Sequence, residues 1–138
     1  MTVEEFLGQT HLLEEQIKFD LDQIKTWRSL SESVRSIAFE DRGHNPNSPD
    51  QASFVNLLNL IDEREEKIKK ELAQLIKLKD EISAAIDMVP DKEKQLVLKY
   101  RYIDHLAWRS IARKMSADDR TVRRWHKAAL EYITVPEN

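Results

Sequence analysis

Leu106-Ala107-Trp108-Arg109-Ser110-Ile111-Ala112-Arg113-Lys114-Met115-Ser116-Ala117-Asp118-Asp119-Arg120-Thr121-Val122-Arg123-Arg124-Trp125-His126-Lys127-Ala128-Ala129-Leu130 is the stretch that decides the fold. Ile111, Ala112 and Met115 fall on one face of a short helix that begins about Trp108. Ser116-Ala117-Asp118 then reads as a three-residue turn, with Asp118 placed to cap a helix from Asp119 to about Tyr132. Two short helices joined in this way predict a helix-turn-helix. Ala112 suits their crossing point, because a small side chain permits close approach.

The last helix has two chemically distinct faces. Val122, Ala129 and Ile133, with His126 and Leu130 beside them, are expected inside, and Trp125 is expected to pack as core or against the first helical unit rather than to stack on a base or sugar. Arg120, Arg123, Arg124 and Lys127 recur at three- and four-residue steps on the outer face. A helix of this width fits the DNA major groove, where arginine can pair with guanine through two hydrogen bonds. The expected base-reading residues are therefore Arg120, Thr121, Arg123 and Arg124. Arg109, Arg113, Lys114 and Lys127 are the expected phosphate contacts. The plainer reading of the same residues is a solvated basic helix on an ordinary three-helix bundle.

Upstream, Val89-Pro90-Asp91 marks a boundary: proline disfavours helix at Val89, and Asp91 fits a new N-cap. The helix that follows is expected to turn Leu96, Val97, Tyr100 and Ile103 inward, with Asp104-His105 as a turn. The pattern thus divides the chain into 1–89 and 90–138. Charge divides it the same way. Residues 90–138 hold eleven Lys and Arg against seven Asp and Glu, a balance of +4, whereas the first 89 hold eleven against eighteen, or −7. DNA affinity depends on local basic density, so the overall net charge of −3 does not argue against it.

The first 89 residues predict long helices. Thr2-Val3-Glu4-Glu5 is a capping-box start, followed by a stripe of Phe6, Leu13, Ile17, Leu21, Ile24, Trp27, Leu30, Val34 and Ile37 on one helix running to about Phe39. Residues 41–50, with Gly43, Pro46 and Pro49, predict a loop. A second helix runs from about Asp50 to Asp87. Its heptad seam is Phe54, Leu58, Ile61, Ile68, Leu72, Leu75, Ile82 and Ile86, interrupted by Glu65 and Lys79. Such a seam must be buried, either by the first helix folding back or by another chain. The expected fold is all-α: a long helical hairpin or coiled coil, then the helix-turn-helix. Some further self-association is expected, most simply a dimer.

The same sequence argues against other classes. With no cysteine there is no disulfide, zinc-thiolate or thiol-nucleophile chemistry. Gly8 and Gly43 make no phosphate-cradling loop, and His11, His44, His105 and His126 lack metal-ligand spacing. No nucleophile–base pair is evident, so no enzyme, metal or cofactor is expected. No apolar run approaches the ~20 residues a bilayer span needs, and the acidic N-terminus lacks a signal-peptide core, which predicts a cytoplasmic protein.

The quoted stretch resembles region 4 of bacterial sigma factors, which reads the −35 promoter element and contacts RNA polymerase. A broader resemblance covers about residues 30–133. Small phage regulators similar to the RinA and ArpU late-gene activators join a Glu/Lys-rich helix to a basic helical unit. The matching residues are Tyr100-Arg101-Tyr102-Ile103, Trp108-x-x-Ile111-Ala112 and His126-Lys127-x-Ala129-Leu130. The pattern usually has glycine where Ser116 stands and serine or threonine where Asp118 stands. The resemblance implies a phage or prophage transcription regulator that binds double-stranded DNA and contacts RNA polymerase. A small terminase subunit for phage DNA packaging shares this layout and is the alternative. A third possibility is a helical module that engages polymerase without DNA.

Overall fold

The computed structural model describes residues 1–40 and 51–137, and regular structure among them is helical throughout. The loop expected over 41–50 lies outside the described residues. In chain order the helices are α1 (Val3–Leu7), α2 (Gln9–Glu40), α3 (Gln51–Asp87), α4 (Lys92–Leu98), α5 (Trp108–Lys114) and α6 (Asp119–Leu130). A π-helical turn, Lys99–Ile103, continues α4. Among the described residues no helix is long and apolar enough to cross a membrane.

The first predicted helix is two helices. Thr2 caps α1 with the full reciprocal capping box to Glu5, as expected. The helix then breaks at Gly8, whose N–H still bonds to Glu4 O while ψ opens to 0°. This short α1 belongs with the far end of the chain. Contacts divide the protein into two compact units, Met1–Glu14 with Gln74–Asn138, and Glu15–Ala73. The sequence division at 89/90 falls inside the first of these.

The first unit has two apolar cores. One joins Phe6 and Leu7 of α1, Ile82 and Ile86 of α3, Val89, Leu98 of α4, Ala129 of α6 and Ile133. The other lies between α4, α5 and α6 and consists of Val97, Ile111, Ala112 and Val122, flanked by Tyr100, Leu106, Trp108, Met115, Ala117 and Trp125. Helix α4 serves both, through the adjacent Val97 and Leu98, each fully buried. This corrects one expectation: Leu96 is exposed and Leu98 takes its place inside. A helix buried on two sides turns a different set of residues inward than a helix with one apolar stripe. The second side exists only because α1 and the end of α3 pack there. Asp91 sits at the N-cap of α4 without a capping hydrogen bond; its carboxylate pairs instead with Lys94, 2.8 Å away.

In the second unit α2 and α3 run antiparallel. Asp20 pairs with Arg64 at 3.0 Å and Lys67 at 3.4 Å, and Arg28 pairs with Glu65. Ile17, Ile24, Ile61 and Ile68 are buried between the helices. Asp20 is 2% exposed, so its charge is held by its two cations, and the Arg64 guanidinium also lies 5.4 Å from the Trp27 ring centroid. A desolvated carboxylate needs such partners, which favours this register over slipped ones. Only part of the heptad seam is used. Ile61, Ile68, Ile82 and Ile86 are buried, but Leu58 and Leu72 are exposed. On α2, Leu21, Leu30 and Ile37 are exposed as well. One partner helix covers one row of a two-row seam.

Because Phe6 and Leu7 complete a core whose other members lie beyond residue 81, residues 90–138 made alone should show no cooperative thermal unfolding. In the full chain, Leu7→Ala should cost about 3 kcal/mol in denaturant titration.

Candidate nucleic-acid interface

Helix α5 ends in a Schellman motif. The N–H of Ser116 bonds to Arg113 O at 3.3 Å and that of Ala117 to Ala112 O at 3.0 Å. The motif needs a left-handed residue at its centre, and Ser116 supplies it with φ 53°. Ala117 then returns to pack on the core around Ile111. Asp118 follows in extended conformation and caps α6, its Oδ1 accepting from Thr121 N at 2.7 Å. The hydrogen bonds from Thr121, with lesser help from Arg124 and Arg120, hold the Asp118 carboxyl below its ordinary range. Turn and cap together fix where α6 starts and which way it faces.

The buried face of α6 is Val122 and Ala129, and Trp125 packs half-buried against the same core as Val122. Arg120, Arg123, Arg124 and Lys127 are all exposed on α6, as are Arg109, Arg113 and Lys114 on α5. Helices α5 and α6 pack directly on each other. Seven of the eight residues expected to form the interface therefore stand on the surface of one helix pair. Thr121 differs: it is half-buried and its backbone serves the cap.

The arginines are not equivalent. Arg123 Nε donates to Asp119 Oδ2 at 3.1 Å, and its guanidinium lies 5.4 Å from the Trp108 ring centroid. Arg101 lies 4.5 Å from the same ring and donates to Leu106 O at 3.0 Å. The edge of Trp108 also meets His126, with ring centroids 4.7 Å apart. Trp108, Arg109, Ala112, Asp119 and Arg123 line an open cavity of about 560 Å³ between the starts of α5 and α6. Arg101, Trp108 and Asp119 were not among the expected contacts. Arg101 and Asp119 sit 22 and 4 residues from Arg123 in sequence, and only the fold brings all of them to one indole. Arg101 and Trp108 stood in the motifs that carry the resemblance, and the i,i+4 spacing of Asp119 and Arg123 was the one local signal of a contact. Lys114 lies 5.7 Å from the Tyr100 ring centroid.

Behind this surface is a histidine-rich polar layer. Tyr102 bonds to His126 Nε2 at 2.7 Å. Burial pushes the Tyr102 phenol up to about 12, so it remains protonated. Burial, opposed by Glu4, lowers the affinity of the His126 imidazole for a proton. His105, in left-handed conformation at φ 56°, meets Glu14 Oε2 at 3.0 Å, while Lys79 also pairs with Glu14 and His11 lies 4.9 Å away, ring to ring. Burial lowers its pKa too, against the pull of Glu14 and together with His11 and Lys79. Thr10, almost fully buried, adds a hydroxyl bond to Tyr102 O at 3.4 Å. Among the described residues, no group of three or more His, Asp and Glu side chains is arranged to hold a metal ion.

A family model described as "protein of unknown function", DUF722, matches residues 13–134. The chain belongs to the DUF722 family. The match spans α2 through α6 and takes in the whole cationic surface, so that surface is a feature within the family's extent. No curated protein and no solved structure matches the chain.

A serine at φ 53° carries left-handed strain that glycine lacks, so Ser116→Gly should raise stability by roughly 0.5–1 kcal/mol in thermal unfolding. His105 and His126 both have folded pKa values below the ordinary 6.5, so the unfolded chain takes up protons first as pH falls. Stability should be full above about pH 6.5 and decline as pH drops below it. His105→Gln/His126→Gln should flatten that decline between about pH 6.5 and 5.5, whatever its effect on stability at pH 8.

Proposed function

We propose that this DUF722 protein is a sequence-specific DNA-binding transcription regulator without enzymatic activity. Helix α6 acts as the recognition helix of a helix-turn-helix formed with α5. The observation that carries the reading is the Schellman turn at Ser116 followed by the Asp118 cap, which presents Arg120, Arg124 and Lys127 on one solvent face of a helix whose back is core. A plain basic helix requires no such turn before it. The resemblance to phage late-gene activators and to sigma-factor region 4 points to promoter DNA as the target. It also points to RNA polymerase as a second partner, and to a phage or prophage origin.

Within this reading the basic residues divide their labour. Arg120 and Arg124 are exposed near the start of α6 and interact with Asp118 only at a distance, so they are available to reach base edges. Arg123 is braced by Asp119 and Trp108, which fixes its guanidinium before DNA arrives and lowers the conformational cost of a directed contact. Arg109, Arg113, Lys114 and Lys127 are exposed on the same two helices and suit phosphate contacts. Local basic density governs such contacts, because charges farther away than a Debye length, about 8 Å at physiological salt, are largely screened.

Selection of bound sequences from a random duplex pool, followed by gel shift across a salt series, tests the proposal. Arg120→Ala should cost about 1–3 kcal/mol on the selected site and relax preference at one position. Lys114→Ala should weaken binding to all sequences alike and reduce the salt slope by about one. Absence of any duplex binding at low salt would sink the reading.

A further inference from the structure

Asp119 is an acid among the exposed cations of α5 and α6. The other acid at this end of α6, Asp118, has a local task, since its Oδ1 caps the helix and its charge already sits at the helix N-terminus. Asp119 takes no part in that cap. Its carboxylate pairs instead with Arg123, 3.1 Å away, where the two side chains are 54% and 58% exposed. An exposed i,i+4 pair adds little to stability. Facing a phosphate backbone, the carboxylate repels what the neighbouring cations attract. Neither stability nor backbone affinity therefore accounts for an acid at this position.

The pair is joined through one atom of each side chain. Arg123 Nε donates to Asp119 Oδ2, while Asp119 Oδ1 and the two Nη groups of Arg123 make no further hydrogen bond among the described residues. Both side chains line the open cavity of about 560 Å³ beside Trp108, so a base edge can reach them without displacing protein. The Trp108 ring, 5.4 Å from the guanidinium, limits the swing of Arg123 and keeps the pair together. With Nε engaged, the guanidinium presents its two Nη donors, which match the N7 and O6 acceptors of guanine. The carboxylate can only accept. In the major groove the base-edge donors are amino groups, N4 of cytosine and N6 of adenine, whereas guanine and thymine carry oxygen there. A carboxylate accepts from the amino bases and is repelled by the keto bases. Asp119 stands one turn before Arg123, about 6 Å along the helix axis. That offset sets the carboxylate beside the base pair next to the one Arg123 reads, at the end of α6 whose residues approach base edges.

We infer that Asp119 is a specificity-determining residue: joined to Arg123, it selects DNA in which the guanine read by Arg123 is flanked by an amino base, cytosine or adenine. The inference rests on the DNA-binding reading and deepens it by naming the class of site selected. Arg120 and Arg124 form the neighbouring i,i+4 row with no acid between them, so the amino-base preference belongs to the flank of the Arg123 contact.

The test applies duplex selection and gel shift to the full chain and to its Asp119→Asn and Arg123→Ala variants. Arg123→Ala identifies the guanine, as the position whose preference it relaxes. For the wild type, changing the flanking cytosine or adenine to guanine or thymine should weaken binding about tenfold or more. In Asp119→Asn the side-chain amide can donate to a keto oxygen, so the same change should cost less than about threefold. Its affinity for a duplex of unrelated sequence should rise severalfold at low salt, because a negative charge has gone. Far-UV circular dichroism should be unchanged, since the side chain is exposed. A merely structural Asp119 would instead alter affinity for all sequences alike and leave the flanking preference intact. Duplex binding with that preference unchanged in Asp119→Asn overturns the inference and leaves the DNA reading standing. So does a wild type that selects a keto base, or no particular base, beside the guanine. Absence of duplex binding by every form at low salt overturns both.

Discussion

Burial of Phe6 and Leu7 against Ile82, Ile86, Val89, Leu98 and Ala129 is the contact on which the first unit depends. It joins the first residues of the chain, the end of α3 and the last helix in one apolar cluster. Each of these segments alone is short or highly charged and cannot hold its own structure in water. Ala129 is the point at which the cluster reaches α6, and Val122, about two turns earlier, is gripped by the second core. Two anchors on one side of a twelve-residue helix fix its rotation about its own axis. The arginines face solvent as a consequence.

The turns that lead into α5 and α6 are held by local backbone chemistry. With only two glycines in the chain, helix ends that need a left-handed residue have to use other side chains. His105 and Ser116 do so, and each directs a following hydrophobic residue, Leu106 or Ala117, into the same core. That strain is tolerated because the returned side chain is buried and the helix carbonyls are satisfied. The result is a rigid frame in which the Trp108 indole lies close to both Arg101 and Arg123. Cations held at defined positions by an aromatic ring differ functionally from cations on a mobile surface, because the ordering cost is met before any partner binds.

The long helices follow a different logic. Their antiparallel pairing relies on few fully buried apolar residues and on the ion cluster around Asp20, which leaves much of each helix's apolar surface uncovered. A buried carboxylate with two cations adds little net stability but penalises every register in which it is unpaired.

The sequence by itself determined the helical class and the bounds of α5, α6 and the turn between them. It also determined the cap at Asp118 and the outward set of basic residues, because periodicity, capping and turn chemistry are local properties written within a few residues. It placed Trp125 and Val122 correctly against the core for the same reason. Tertiary structure alone decided that α1 belongs with residues beyond 74, that Leu98 rather than Leu96 is buried, and that Leu58 and Leu72 of the seam stay exposed. It alone brought Arg101, Trp108, Asp119 and Arg123 together. Each of these depends on which remote surface covers a residue, and a helical period states only that a face is apolar, not what will bury it.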